Sequence, residues 1–460
     1  MLRCLGGSLG SVLLALGANG SAMAGDLPPP LRLSTVLGDT QRPATFLFES
    51  DEPSPPQLNL SQSLVATDLP ERGETPGDLP LGKGAGSRIA MSEVLSYDSN
   101  VFRLRDSAAA AAAGLSGRGS WHSLTRLELG LDKRHAGQQW LLDLEANANR
   151  YGSFDFLNHT TRTAVGRWRW SAGPDWQGEV GAEHREALDD YAYFRNPVRS
   201  IATTRVLSGS AFYRLTNGWQ VGTQVAEGSR RYKDGTRPTN ELDFGTVDLI
   251  LRYAPEGRGT AILTRRRARG QYPNAPADDA GTLAEKRFQQ EETSLELSLP
   301  TGTGSRYLLR VASVSREYGR YPQSNYSGHS ALVGAEWQVT PRSQLSGALR
   351  YDVEPAQDFV SSYVATRGLR LGWVWAYSPR TRLEGRYEWR EAQYRGDPGF
   401  GVAVTSRRED KVGQAQLSAT HQMSPRLRWI LSLLREQRES NQAEWSYTDW
   451  TMAGSVQWAF

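Results

Sequence analysis

Cysteine is almost missing from this chain of 460 residues, and the single one, Cys4, lies near the start. Disulfides therefore hold nothing beyond it, and no cysteine follows the N-terminal apolar run where a lipid anchor would attach. Lysine is nearly as scarce, five residues against 48 arginines. A high-GC genome is the bland source of that bias. Its functional alternative is that guanidinium forks grip carboxylates and phosphates in pairs, which would suit lipopolysaccharide or an acidic glycan. With 50 acidic residues interleaved among 53 basic ones, no basic stripe stands alone, and nucleic acid is excluded as a partner. Long apolar runs are absent too. A spanning helix needs about 20 consecutive apolar residues, and the longest apolar stretch is the N-terminal one around residues 11–17.

That stretch reads as part of a secretory signal over residues 1–24. Arg3 supplies the positive start, Leu9 to Leu16 the apolar run and Ala22-Met23-Ala24 the cleavage site, so the mature chain is expected to begin at Gly25. Residues 25–86 hold 10 of the 23 prolines. Such a composition forms no regular core and is expected as a Pro-rich periplasmic or plug-like segment.

From Ser87 onward the pattern has a period of two. Leu383-Glu384-Gly385-Arg386-Tyr387-Glu388-Trp389-Arg390 puts a charge at every even position and an apolar residue or glycine at every odd one. One face is dry and the other wet. Trp168 and Trp170 alternate with Arg167 and Arg169, and Leu427, Trp429, Leu431 and Leu433 with Arg428 and Ser432. Short turn signals at Gly173-Pro174-Asp175, Asn217-Gly218, Pro255 to Gly257, Pro300 to Gly304, Pro341, Pro379 and Pro425 alternate with longer polar loops such as Glu186 to Ser200 and Pro273 to Arg287. Short turns at one rim and long loops at the other are the habit of outer-membrane barrels. The count predicts an all-β fold, a transmembrane antiparallel β-barrel of about 18 strands over residues 87–460, the last being Trp445 to Phe460.

A soluble sandwich or propeller also alternates. A propeller would show a blade repeat, and a sandwich would not ring its dry face with tryptophan. Trp176 and Trp219 follow short turns directly, and Trp168, Trp170, Trp373, Trp375, Trp389 and Trp458 are expected toward strand ends, as interfacial girdles. Trp450, Met452, Gly454, Val456, Trp458 and Phe460 share one parity, so the dry face runs to a terminal aromatic residue. Trp458 and Phe460 are thus the expected signal for the barrel assembly machinery, in an integral protein of a Gram-negative outer membrane in contact with its lipid and lipopolysaccharide.

Catalysis finds no candidate. His122, His135, His159, His184, His329 and His421 form no metal spacing, and Ser327-Gly328-His329-Ser330 reads as the end of a polar loop. His421 has lipid-facing parity near a periplasmic turn. No enzyme, metal or cofactor is expected, nor a globular plug or passenger. The run Ala108 to Ala113, with Asp106 and Ser107 as a cap, reads as a short helical or flexible decoration of the first outer loop. Arginine on a lipid face costs roughly 2–4 kcal/mol at the midplane. Glu384, Arg386, Glu388 and Arg390 are therefore expected to line the lumen, which eighteen strands make wide enough for water. Arg205 and Arg367 share outward parity, early in descending strands, where lipopolysaccharide phosphate would remove the penalty.

Ser96-Tyr97-Asp98-Ser99-Asn100-Val101-Phe102-Arg103-Leu104 closes the first strand. It resembles the Tyr-Asp-x-Asn-(Val/Leu)-Phe-Arg signature of EpsL-type outer-membrane β-barrel proteins encoded with exopolysaccharide biosynthesis genes, a branch of the wider barrel-porin group. Further similarity lies in Phe154-Asp155-Phe156-Leu157, Trp168 to Trp176 and Glu183-His184-Arg185. The resemblance spans residues 87–460. It implies moving or anchoring a secreted polysaccharide, with periplasmic export components as partners and without catalysis. Locally, Tyr97, Asp98, Asn100, Phe102 and Arg103 read as a rim turn that fixes the first loop, in preference to direct ligand binding. A lumen with rings of Arg and Glu would pass a hydrated polymer, but also small solutes. A polysaccharide-secretion barrel, a general or selective porin, and a structural, adhesive or enzymatic barrel all remain open.

Overall fold

The computed structural model describes residues 86–192, 196–216, 218–255, 259–274, 287–301, 304–319, 322–356, 361–397 and 406–460. The expected signal and Pro-rich segment lie outside the described residues. Strands follow one another as β1 (Gly86–Asp98), β2 (Ser120–His135), β3 (Gln138–Tyr151), β4 (His159–Ala172), β5 (Trp176–Leu188) and β6 (Ile201–Thr216). They continue as β7 (Trp219–Tyr232), β8 (Leu242–Tyr253), β9 (Thr260–Gln271), β10 (Arg287–Thr301), β11 (Ser305–Tyr318) and β12 (Tyr326–Thr340). The last six are β13 (Ser343–Pro355), β14 (Tyr363–Ser378), β15 (Thr381–Arg395), β16 (Glu409–Ser424), β17 (Leu427–Ser440) and β18 (Tyr447–Ala459). Each strand pairs antiparallel with its sequence neighbours, and β1 also pairs with β18, from Ala90 opposite Ala459 to Asp98 opposite Thr451. The sheet is a closed barrel of eighteen strands, as the period-two pattern predicts. The last strand starts two residues later than expected, because Ala443–Trp445 forms a 3-10 turn.

Local chemistry accounts for the short rim. Three turns repeat one device, a hydroxyl residue followed by Pro-Arg. The Arg342 N–H donates to Thr340 Oγ1 at 3.2 Å, Arg380 N–H to Ser378 Oγ at 3.2 Å and Arg426 N–H to Ser424 Oγ at 3.3 Å. Proline presets φ at the first corner position while the hydroxyl takes a backbone donor that would otherwise go unpaired. A register shift adjoins each turn, where an extra residue is absorbed as a bulge. An eighth short turn escaped the sequence pattern. At Ala136-Gly137 both residues take positive φ (45° and 77°), the mirror-image geometry that suits a two-residue hairpin.

Exposure along the strands inverts that of a soluble protein. On β18, Trp450, Met452, Val456 and Trp458 are 45–55% exposed, whereas Asp449, Thr451, Ser455 and Gln457 are buried at 0–4%. The apolar side faces outward on most strands, and only hydrocarbon satisfies an outer band of this kind. Trp140, Trp168, Trp176, Trp219, Trp337 and Trp458 ring the barrel beside the short turns, whereas Trp121 and Trp450 stand at the opposite ends of their strands. Trp389 departs from expectation: it lies at the middle of β15, not toward an end. Ser327 to Ser330 also differ, forming part of β12 and not the end of a loop. His421 faces outward as its parity requires, with Nδ1 at 2.9 Å from Thr381 Oγ1 and its ring 5.5 Å from that of Trp429.

Inside, three phenylalanines lie flat over glycines of the adjacent strand: Phe212 over Gly222, Phe244 over Gly228 and Phe288 over Gly270. Each ring covers backbone that glycine leaves bare, the aromatic rescue of a strand glycine. A Cβ at Gly270 would sit 2.1 Å from the Phe288 ring, which in turn carries the Arg316 guanidinium 3.9 Å from its centroid. Gly270→Val is expected to cost about 1–3 kcal/mol by overpacking. The measurement is the temperature at which the folded, SDS-resistant band converts to the unfolded one, and an unchanged temperature would refute the contact.

Closure ends on Phe460, whose N–H donates to the Ile89 carbonyl at 2.9 Å while its ring stacks on Trp458 at 5.4 Å. Deleting Phe460 removes the last seam bond and the terminal dry-face ring. Outer-membrane fractions are expected to hold severalfold less heat-modifiable barrel, read by immunoblot of unboiled samples. Undiminished assembly would count against a role for this residue.

Candidate functional site: a charged lumen and its inward-folded mouth

Inward positions are bridged by ion pairs between neighbouring strands. Arg266 on β9 grips Asp248 on β8 with Nε at 2.7 Å and Nη2 at 2.6 Å. Arg310 meets Glu292 at 2.7 Å, Arg306 meets Glu336 at 3.1 Å and Arg169 meets Glu179 at 2.8 Å. Such rungs satisfy buried charge on a wall where one partner alone would be costly. The predicted lumen residues fit this pattern. Glu388 is buried, takes Arg370 Nη2 at 2.8 Å and lies 3.9 Å from Arg350. Glu384 forms an ion pair with Arg382, its Oε1 2.7 Å from Nε, and Arg386 is exposed to the lumen. Arg390 lines a recess with Arg350, Asp352, Thr366, Asp410 and Arg438.

Tyr97 to Arg103 form a self-locking turn at the upper end of β1. Asp98 accepts from the Asn100 N–H at 2.7 Å and from Arg103 Nη1 at 3.0 Å. Fully buried Asn100 acts as a clip: Oδ1 accepts from the Leu104 N–H at 2.9 Å, while Nδ2 donates to the carbonyls of Leu104 at 2.7 Å and Thr448 at 3.1 Å. Arg103, in the left-handed region at φ 54°, also reaches Asp449 at 3.4 Å. Burial lowers the guanidinium's affinity for its proton. The charges of Asp98, Asp449 and Glu436 outweigh that, so its pKa lies well above the ordinary value. Tyr97 faces outward, its ring 5.3 Å from that of Trp121.

Phe102 is the keystone of the mouth. Its fully buried ring meets Phe154 at 5.0 Å and Tyr191 at 4.7 Å, joining three outer loops. Helix α1 (Ser107–Ala112) is capped as expected, Asp106 Oδ1 accepting from the Ala109 N–H at 2.8 Å. It is no decoration, because Ala110 is buried in this same cluster. The loop after β5 is pinned at two of its first residues. Asp189 takes Arg237 at 3.1 Å, Arg230 at 3.4 Å and Ser200 Oγ at 2.7 Å, whereas further along Arg438 on β17 donates to the Ala192 carbonyl at 2.6 Å. Between them, burial and then the nearby charge of Glu436 push the Asp190 carboxyl up to about 6, against a hydrogen bond from the Ala192 N–H.

Sequence reasoning missed Asp189, Asp190, Arg438 and Asp449. Only inward parity hinted at the last two, since a contact across 246 residues leaves no periodic trace. Of the outward exceptions, Arg367 is paired within the chain, to Glu391 at 2.7 Å, and Arg205 stands opposite His184. Glu93 also faces outward, accepting from Ser123 Oγ at 2.9 Å and Thr125 Oγ1 at 2.6 Å. Among the described residues no group of three or more His, Cys, Asp or Glu is placed to hold a metal ion.

An apolar outer band, a wall of ionic rungs and one rim of short turns define an integral β-barrel of a Gram-negative outer membrane. No protein-family model matches the chain, and no curated protein matches it. Solved structures of similar architecture include Pseudomonas aeruginosa OpdK with vanillate, at 10% identity and a TM-score of 0.47 over 81% of this chain and 99% of that one. Pseudomonas aeruginosa OccK2 in complex with glucuronate follows at 11% identity and 0.46, over 81% and 98% of the chains. Acinetobacter baumannii OccAB3 stands at 11% identity and 0.45, over 82% and 100%.

A pH response follows from Asp190. Its folded pKa is raised from 3.8 to about 6, so the neutral form favours the docked loop. Docking is strongest below pH 4, weakens as pH rises from 4 to 6 and is constant above. Proteolysis within residues 189–200 is expected to be slowest in acid, and Asp190→Asn should flatten that profile. An unchanged profile in the variant would assign the response elsewhere.

Proposed function

We propose that this barrel is an aqueous channel for small hydrophilic solutes. The observation that carries the reading is the segment Asp189–Ala192, whose Ala192 carbonyl is held by Arg438 on β17, so that part of the mouth is occupied by the chain itself. Together with the Phe102 cluster, this favours a path for small solutes over one for a wide hydrated polymer. The polysaccharide role implied by residues 96–104 gains no support from their side chains. Asp98, Asn100, Phe102 and Arg103 are engaged in holding the first loop, leaving none of them turned toward a ligand.

Charge of both signs on the wall suits a solute that exchanges water for weak, multiple contacts and then leaves. Liposomes containing the purified barrel are expected to swell in small sugars and sugar acids but not in a polysaccharide of several kilodaltons. Reversing Arg386 and Arg390 to Glu should move the zero-current potential in a salt gradient toward cation preference, whereas outward Leu383→Ile should not. Absence of swelling with any small solute, alongside loss of extracellular polysaccharide on gene deletion, would favour the export role instead.

A further inference from the structure

The outer face of β9 breaks the dry pattern three times in succession. Arg265, Arg267 and Arg269 occupy alternate positions that share the outward parity of Leu263. Their register fixes that assignment: Arg265 stands opposite Leu249 on β8, which is 62% exposed, and Arg267 opposite Val247, which is 50% exposed. Ala261 lies at the level of the tryptophan and tyrosine ring, opposite Tyr253. Arg265 is only four residues above it, ~13 Å along the strand. Its Cα therefore stands beside the hydrocarbon, and the long side chain must reach upward for a polar partner.

Partners within the chain are too few. Arg265 Nη1 donates to Thr293 Oγ1 at 2.6 Å and its Nη2 pairs with Glu291. Arg267 takes the same carboxylate, with Nε at 3.0 Å and Nη2 at 2.7 Å. One Glu291 thus serves two guanidinium groups whose side chains are 54% and 75% exposed. Arg269 lies over Gly245, which leaves room for its stem, and has no side-chain hydrogen-bond partner among the described residues. Next to it on the outer face stand Arg287 opposite Gln271 and Glu317 opposite Gln289. Asp243, at the edge, pairs with Arg231. The three arginines of β9 therefore share Glu291 and, across Gly245 from Arg269, Glu227 on β7, above exposed Leu263 and Leu295.

We propose that this ladder binds the phosphate of an outer-leaflet glycolipid, a lipopolysaccharide whose acyl chains lie on the leucines below. Planar guanidinium forks match phosphate oxygens bidentately. Apolar surface beneath and cation above is the order in which such a lipid presents its tails and its charge. Glu291 spaces the two lower forks and limits the affinity by competing for them.

The test titrates purified, detergent-folded barrel with rough lipopolysaccharide, with phosphatidylglycerol and with inorganic phosphate. Wild-type protein is expected to bind the lipopolysaccharide most tightly. Arg265→Gln, Arg267→Gln and Arg269→Gln together should weaken it about tenfold or more, whereas Glu291→Gln should tighten it severalfold. If the triple variant fails to fold, judged by heat-modifiable mobility, Arg269→Gln and Glu291→Gln decide, and unchanged binding in both overturns the site. Equal binding of phosphatidylglycerol would reduce it to a general anionic-lipid contact, and displacement of lipopolysaccharide by millimolar inorganic phosphate would make it a free-phosphate site. Either outcome overturns the proposal.

Discussion

A backbone in hydrocarbon has no water to pair with, and every strand of this chain answers that constraint by bonding to two others. The seam between β1 and β18 is where the answer is completed. Nine residue pairs, from Ala90–Ala459 to Asp98–Thr451, join the two ends of the sheet across almost its whole length in sequence. At the lower end the Phe460 N–H reaches Ile89. At the upper end the Ser99 N–H donates to the Trp450 carbonyl, while Ser99 Oγ donates to Asp449 and accepts from the Trp450 N–H. The turn carrying Asn100 and Arg103 therefore sits on the closing seam, and the first loop is fastened where the barrel itself is fastened.

Closure sorts side chains by a single rule, outward to lipid and inward to water, and that rule is what makes the fold readable. Alternation in residues 383–390 and 450–460 carries the strand parity directly, and eight short turns leave no room for a different strand order. Two kinds of residue escape it. Trp389 belongs to the outward set by parity, but its height depends on strand tilt and register, neither of which a single strand encodes. Ser327 to Ser330 look like loop because they lack large apolar residues, yet they continue the ladder of β12 in register with Ser315 to Ala312 of β11.

The mouth was much less legible. Period-two reading ends where strands end, so it says only that residues 189–200 form a polar loop. The inward course of Asp189 to Ala192 depends on Asp189 meeting Arg230 and Arg237 and on Ala192 meeting Arg438. These contacts are specific pairings without periodicity. The segment from Tyr97 to Arg103 was visible as a motif for a related reason. Its Asp, Asn and Arg bond mostly to each other and to nearby backbone, so most of the device is written within the eight residues from Tyr97 to Leu104.

Arginine bias gains a physical meaning once both faces are considered together. On the wall, Arg266 spans two strands and holds both oxygens of Asp248, a geometry that a lysine ammonium, acting as a point charge, does not reproduce. Arg438 is almost fully buried yet reaches a loop carbonyl, with the Tyr447 ring 5.2 Å from its guanidinium. Arg316 lies on Phe288 at 3.9 Å, in the manner of a planar cation on an aromatic face. Each of these uses delocalised charge and several fixed donors, and each stays charged whatever the local burial. The outward ladder on β9 draws on the same properties in a setting where a strongly hydrated ammonium would be harder to strip of water. A genome's codon preference supplies arginine everywhere, but it does not place a carboxylate opposite so many of them inside and so few of them on the outer face of β9.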